Sequence, residues 1–191
     1  MKWFALAAGV CLLAGQPATA QISSWKSDAA QSQVQFTIRH LAMTDVHGRF
    51  SRVDATINYN AQDVTKSNVT AVIGVDSVST GEAGRDDEIK SADFFDVDHF
   101  PRAVFTSTQV SKNANGLWVK GNLTLHGITR ELILNVHGPE KPVMGADGKP
   151  HSGFSATTTI DRTAFDIGST FPAAIVGDQV KLTIKLAVVK Q

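Results

Sequence analysis

Apolar residues recur at every second position along most of the chain, a spacing that turns one face of a β-strand inward and the other toward water. The clearest case is the C-terminal run, where apolar positions from Val180 to Val188 alternate with Lys181, Thr183 and Lys185. The same alternation occupies positions 34–38, 53–59, 69–75, 103–105, 117–125, 132–136 and 154–160. These segments predict about eight strands, a number that closes into a barrel.

Short turn signals separate the segments. Asn115-Gly116, Asp147-Gly148 and Gly177-Asp178 are each typical of a tight connection between antiparallel strands. Only positions 81–96 lose the alternation, and their helix-forming residues predict one or two short helical turns. The predicted fold is therefore all-β: an eight-stranded antiparallel barrel with a short helical insertion.

The N-terminal segment has the features of a secretory signal. Lys2 precedes an apolar run over 3–13, and Ala18 and Ala20 stand in the arrangement that signal peptidase cleaves. The run is too short to span a bilayer, so we expect a signal peptide over 1–20, one domain over 21–191, and no integral membrane segment. Cys11 is the only cysteine and would leave with the signal, and Val10 before it disfavours lipoprotein processing.

Charge and motifs exclude several functions. The chain has 18 basic and 18 acidic residues, a formal net charge of zero, so we expect no nucleic-acid partner. It contains neither a G-x-S-x-G elbow nor a nucleotide-binding glycine motif. The six histidines lack the spacing of a zinc site. We therefore expect no catalytic residues, no metal and no enzyme activity.

Four clusters at strand ends are unusual for a plain scaffold. They are FTIRHLAMTDVHGRF from Phe36, SADFFDVDHFPRAVFTST from Ser91, VKGNLTLHGITRELIL from Val119 and IDRTAFDIG from Ile160. Together with Ser77, Val78 and Thr80 they match, in order, the pattern of the YceI family of secreted bacterial lipocalin-like proteins. The chain resembles this family from about Trp25 to Val189. It departs from the pattern at Asp166, where the family usually has glycine.

The resemblance implies a periplasmic, lipocalin-like barrel whose apolar tunnel holds a polyisoprenoid, an isoprenoid quinone or a fatty-acid derivative. On this resemblance the protein needs no cofactor and is expected to contain a bound long-chain isoprenoid or lipid. A homodimer is one expected state. Tunnel-facing positions are expected to be Phe36, Ile38, Ile73, Phe105, Val119, Leu134, Phe154 and Ile184. Phe94 and Phe95 are expected to cover one end, with Phe50 and Phe165 among the aromatic contacts. His40, Asp161 and Arg162 are the candidates for head-group contact at the mouth, and a salt bridge between Asp161 and Arg162 is the structural alternative.

Two other functions remain open on the sequence. The inward residues mix phenylalanine with many smaller side chains, which leaves a filled barrel and a hollow one about equally compatible with composition. A filled barrel would suit a stress-related structural or interaction protein. A hydrolase or isomerase would instead need a histidine and a carboxylate on one cavity wall.

Overall fold

The sequence alternation produces twelve hydrogen-bonded strand segments in one antiparallel sheet. A computed structural model describes residues 22–191, so the expected signal peptide over 1–20 lies outside the described residues. The strands are β1 (Ile22–Ser27), β2 (Gln33–His40), β3 (Thr44–Phe50), β4 (Val53–Asn60), β5 (Asn68–Gly74), β6 (Val78–Ser79), β7 (Arg102–Asn113), β8 (Gly116–Leu125), β9 (Ile128–His137), β10 (Val143–Met144), β11 (Pro150–Asp161) and β12 (Val176–Lys190). One α-helix, α1 (Ala83–Lys90), and three single 3₁₀ turns, Val64–Lys66, Val75–Ser77 and Thr163–Phe165, complete the elements.

The segments join end to end into eight strand paths that close on themselves. One edge of β12 pairs first with β1 and then with β2, so that Ser27 faces Val188 and Gln33 faces Lys185. In the same way β3 and β4 follow one path, and β5 and β6 another. The other edge of β12 pairs with β11, which closes the ring. The closed eight-stranded antiparallel barrel confirms the fold predicted from the alternation, and closure leaves few free backbone edges.

The helix lies where the alternation fails. The Glu82 side chain caps α1 by accepting from the backbone N–H groups of Gly84 and Arg85 at 3.0 and 2.8 Å. The helix has eight residues, and within residues 22–191 none of the helices has the length and apolar character needed to cross a membrane.

One predicted turn is wrong. Gly177 and Asp178 lie inside β12 rather than between two strands. The pairing of β12 with β2 shifts register between Val176 and Val180, so these residues form a bulge. A glycine within a strand often marks such a bulge, because the extra residue needs a bend that a side chain would hinder.

The turn between β2 and β3 carries backbone strain. Leu41 and Ala42 adopt φ values of +50° and +53°, and the Met43 N–H closes the turn on the His40 carbonyl at 3.1 Å. Such turns favour Asn-Gly, since the left-handed conformation costs about 1–2 kcal/mol for other residues.

We expect the double substitution Leu41→Asn and Ala42→Gly to raise the free energy of unfolding by about 1–2 kcal/mol. Urea unfolding of the two proteins measures the change. A loss of stability would show that packing of Leu41, and not backbone strain, dominates this turn.

Candidate functional site

The interior of the barrel is hollow and has two chambers. The first has a volume of about 260 Å³ and reaches the surface where the half-exposed Arg39 and the exposed Glu88 and Ile175 contribute to its wall. We call this region between β2, α1 and the segment 171–176 the mouth. The second chamber has a volume of about 140 Å³ and is lined almost entirely by apolar side chains. The two chambers share part of their walls, so they adjoin inside the barrel, and a continuous tunnel through both stays a prediction.

Four side chains line both chambers and form the waist between them: Val34, Ile73, Leu123 and Leu182. They come from four different strands, β2, β5, β8 and β12. These four strands thus border both chambers.

Most of the sequence-predicted contact residues face this hollow. The first chamber includes Phe36, Ile38, His40, Phe50, Ile73, Phe94, Phe95 and Arg162 in its wall. The second includes Ile73, Phe105, Val119, Leu134, Phe154 and Ile184. Contact of these residues with a ligand stays a prediction. Asp161 and Phe165 belong to neither wall, which corrects their expected placement.

Two glycines of the family pattern make room for phenylalanines of the chambers. A side chain at Gly48 would overlap the Phe36 ring, and one at Gly121 would overlap the ring of Phe105. The tip of each ring therefore lies against the neighbouring strand at the position of its glycine. These glycines help to keep the interior hollow.

The two phenylalanines after α1 line the first chamber, and that they cover one end of the barrel stays a prediction. Phe94 stacks on Phe171 with ring centroids 4.9 Å apart, and Phe95 meets the edge of Phe50 at 5.7 Å. The backbone holds them there because the Phe95 N–H donates to the Ile89 carbonyl at 3.1 Å. The stacked pair joins the segment after α1 to the segment that precedes β12.

Arg162 is buried and fully engaged with the protein itself. Its guanidinium donates to the carbonyls of Gly177 (3.1 Å), Ile167 (2.9 Å), Gly168, Phe171 (2.8 Å) and Val176 (2.8 Å), and to the Asp178 carboxylate at 2.9 Å. An arginine has five N–H donors, so none is left for a head group. The expected salt bridge to Asp161 is wrong, because the partner of Arg162 is Asp178 across the β12 bulge.

Asp161 serves the local turn instead. Its carboxylate accepts from the backbone N–H of Thr163 at 2.9 Å and from the hydroxyl of the same residue at 2.7 Å. The bond from the Thr163 hydroxyl lowers the pKa of Asp161 below its ordinary value of 3.8. Asp161 is therefore ionised at neutral pH and, through its two bonds to Thr163, supports the start of the 3₁₀ turn that follows.

Phe165 belongs to the packed core, and its carbonyl lies 3.1 Å from His126 Nδ1. The next residue, Asp166, has φ +58°, which is the left-handed conformation that favours glycine. This explains why the departure from the family pattern at Asp166 is tolerated, since aspartate adopts this conformation more readily than most residues.

Because Asp166 is exposed, substitutions there test the backbone alone. We expect Asp166→Val to lower the free energy of unfolding by about 1–2 kcal/mol. Asp166→Gly, the matched control, is expected to change it by less than about 0.5 kcal/mol. Thermal unfolding measures both, and equal stability of the two variants would contradict the backbone argument.

A hydrolase or isomerase would need a histidine and a carboxylate together on one chamber wall. The two bonded histidine–carboxylate pairs, His99 with Asp96 and His151 with Asp147, contribute to neither chamber wall. His40 and Glu88 both line the first chamber, but no hydrogen bond joins them in residues 22–191. In that same part of the chain no group of three or more metal-ligating side chains comes together.

Sequence reasoning missed several residues at the mouth, among them Arg39, Arg85, Glu88, Phe171 and Ile175. Arg85 and Glu88 lie on α1, which was predicted only as a helical insertion. Phe171 and Ile175 lie in a segment without strand alternation. Only the folded arrangement brings these segments to one end of the barrel.

The chain is similar to one family of known proteins along most of its length. The sequence profile of the YceI-like domain matches residues 25–188. A UPF0312 protein of Vibrio cholerae is 32% identical over 174 residues, covering 87% of this chain and 89% of the relative. A UPF0312 protein of Shewanella baltica is 35% identical over 167 residues, covering 86% of each.

Solved structures share the fold. BcnA of Burkholderia cenocepacia superposes with a TM-score of 0.73 at 22% identity, covering 84% of this chain and 98% of BcnA. A YCEI protein of Campylobacter jejuni gives 0.71 at 25% identity, covering 80% and 90%. A polyisoprenoid binding domain from Saccharophagus degradans gives 0.62 at 16% identity, covering 87% and 98%.

Proposed function

The chain belongs to the YceI-like domain family, and we propose on that premise that its barrel binds a long-chain apolar molecule and carries or sequesters it. The ligand class is a polyisoprenoid, an isoprenoid quinone or a fatty-acid derivative. The similar fold of a polyisoprenoid binding domain supports this class. The protein is a binding protein and not an enzyme.

The observation that carries the proposal is the pair of chambers with predominantly apolar walls. Protein interiors are normally close-packed, and a void forfeits the dispersion contacts that its lining could make. A ligand tail restores those contacts. A hollow interior therefore favours a carrier over a structural protein with a filled barrel.

Burial of an apolar tail supplies enough free energy for binding. Each buried methylene contributes about 0.8 kcal/mol, so ten of them contribute about 8 kcal/mol, the scale of micromolar affinity. Part of this is lost to the ordering of ligand and side chains on association. A tail that occupies both chambers gains more than one confined to the first.

Extraction of the natively purified protein with organic solvent, followed by mass spectrometry, tests the proposal. We expect a long-chain apolar molecule in a stoichiometric amount. The same extraction of denatured and refolded protein gives the background. An extract without such a molecule, together with failure to bind an added isoprenoid alcohol, would overturn the proposal.

We further propose that the protein acts in the periplasm after cleavage behind Ala20. The support is the signal-like sequence of residues 1–20. N-terminal sequencing of protein from a periplasmic fraction is expected to begin at Gln21. Recovery of the intact chain from the cytoplasm would contradict this location.

A further inference from the structure

The first chamber has three arginines in its wall, and two of them are already paired. Arg162 is fully engaged, as described above. Arg39 Nη1 donates to the Asp45 carboxylate at 2.9 Å. The third, Arg85 on α1, forms no salt bridge with any carboxylate in residues 22–191.

Within residues 22–191 the guanidinium of Arg85 is held by one residue only. Its Nε donates to the Thr80 hydroxyl at 2.8 Å, and its Nη2 lies 3.4 Å from the Thr80 carbonyl. No acceptor for Arg85 Nη1 is found in the described part of the chain. The half-buried guanidinium thus retains donors at the mouth of an apolar chamber.

Thr80 is itself fixed, so the position of Arg85 is determined before any ligand binds. The Thr80 hydroxyl and backbone N–H donate to Asp86 Oδ1 at 2.6 and 2.7 Å. The bond from the Thr80 hydroxyl lowers the pKa of Asp86 below 3.8, so this carboxylate is ionised at neutral pH. Thr80 is the last residue of the hydroxyl-rich stretch Ser77–Thr80, and it orients the Arg85 side chain.

We propose that Arg85 binds the anionic head group, a phosphate or carboxylate, of an amphiphile whose tail occupies the chambers. This inference rests on the proposed function. Arginine suits the role because its planar fork donates paired hydrogen bonds to oxyanions. Glu88, one helical turn along α1, also lines the chamber and opposes an anion there.

A comparison of farnesyl phosphate with farnesol tests the proposal, since the two share a tail and differ in charge. Displacement of the neutral probe N-phenyl-1-naphthylamine gives both affinities. The wild-type protein is expected to prefer farnesyl phosphate by about tenfold. Arg85→Gln is expected to abolish that preference, and Arg85→Lys to retain part of it. Glu88→Gln is expected to increase it.

Farnesol binding reports the fold and the tail site in every variant and is expected to stay constant. Lys112→Gln removes one positive charge at the far end of β7 and is expected to leave the preference intact. Inorganic phosphate alone is expected not to displace the probe, because Arg85 binds a phosphate that is attached to a tail in the chambers and not the free ion.

Three outcomes separate the claims. If the phosphate preference persists in Arg85→Gln, or both affinities fall equally, the head-group role is overturned and the carrier function stands. Displacement by inorganic phosphate alone would also overturn the head-group role. If neither compound binds the wild-type protein, the carrier function falls and the head-group role falls with it.

Discussion

Replacing Arg162 with alanine is expected to lower the free energy of unfolding by about 3–5 kcal/mol, the range for removing one partner of a buried ion pair. The substitution leaves five backbone carbonyls without their shared donor and the Asp178 carboxylate without its partner. These groups hold the segment 167–178 over one end of the barrel. The melting temperature is expected to fall by roughly 10 °C.

Urea unfolding gives the comparison, with Arg130→Ala as the matched control. Arg130 is exposed and donates one bond, from Nε to the Ala164 carbonyl at 3.2 Å. That control is expected to lose less than about 1 kcal/mol. Arg162→Lys is expected to recover little, because one ammonium group cannot reach acceptors arranged around a planar fork. Equal losses for Arg162→Ala and Arg130→Ala would contradict the structural role.

Replacing Leu182 with tryptophan is expected to block the waist and to prevent long ligands from reaching the second chamber. In the wild-type protein, the affinity of linear alcohols from decanol to hexadecanol is expected to rise about fourfold per methylene, the factor equivalent to about 0.8 kcal/mol. In Leu182→Trp the rise is expected to stop once the first chamber is filled. Each methylene kept out of the second chamber costs about fourfold, so with at least three excluded hexadecanol is expected to bind at least about 60-fold more weakly, with decanol little changed.

Lys181→Trp is the control for this series, because Lys181 is exposed on the outer face of the same strand. It introduces the same side chain and is expected to keep the full chain-length dependence. Overpacking at the waist costs about 1–3 kcal/mol of stability, so circular dichroism and urea unfolding accompany the binding series. An unchanged chain-length dependence in folded Leu182→Trp would contradict a tail that passes the waist.

Much of the barrel could be predicted because strand alternation has a period of two residues. The inward set, from Phe36 to Ile184, follows directly from which face of each strand is apolar. The helical insertion was also predictable, since α1 lies where alternation stops. The error at Gly177-Asp178 arose because a bulge and a turn use the same small and polar residues.

The polar part of the site was not predictable from local sequence. Asp161 and Arg162 are adjacent, but Asp161 ends β11 whereas Arg162 has helical dihedral angles (φ −62°, ψ −35°) before the 3₁₀ turn, so strand alternation does not decide where its side chain lies. In the folded chain the buried Arg162 pairs with Asp178, whereas Asp161 accepts from the Thr163 hydroxyl. Whether an arginine at the mouth retains unpaired N–H donors depends on how many backbone carbonyls surround it. Only the folded structure determines this. The waist depends on packing among four strands and had no sequence signature.

The central claim is that the hollow of the barrel exists to hold a long apolar tail. A high-resolution crystal structure of protein purified without added ligand tests it most directly. The account predicts elongated electron density that enters beside Arg85, passes the waist at Leu182 and reaches Phe154 in the second chamber. Side chains that meet across the waist and fill both chambers would contradict it.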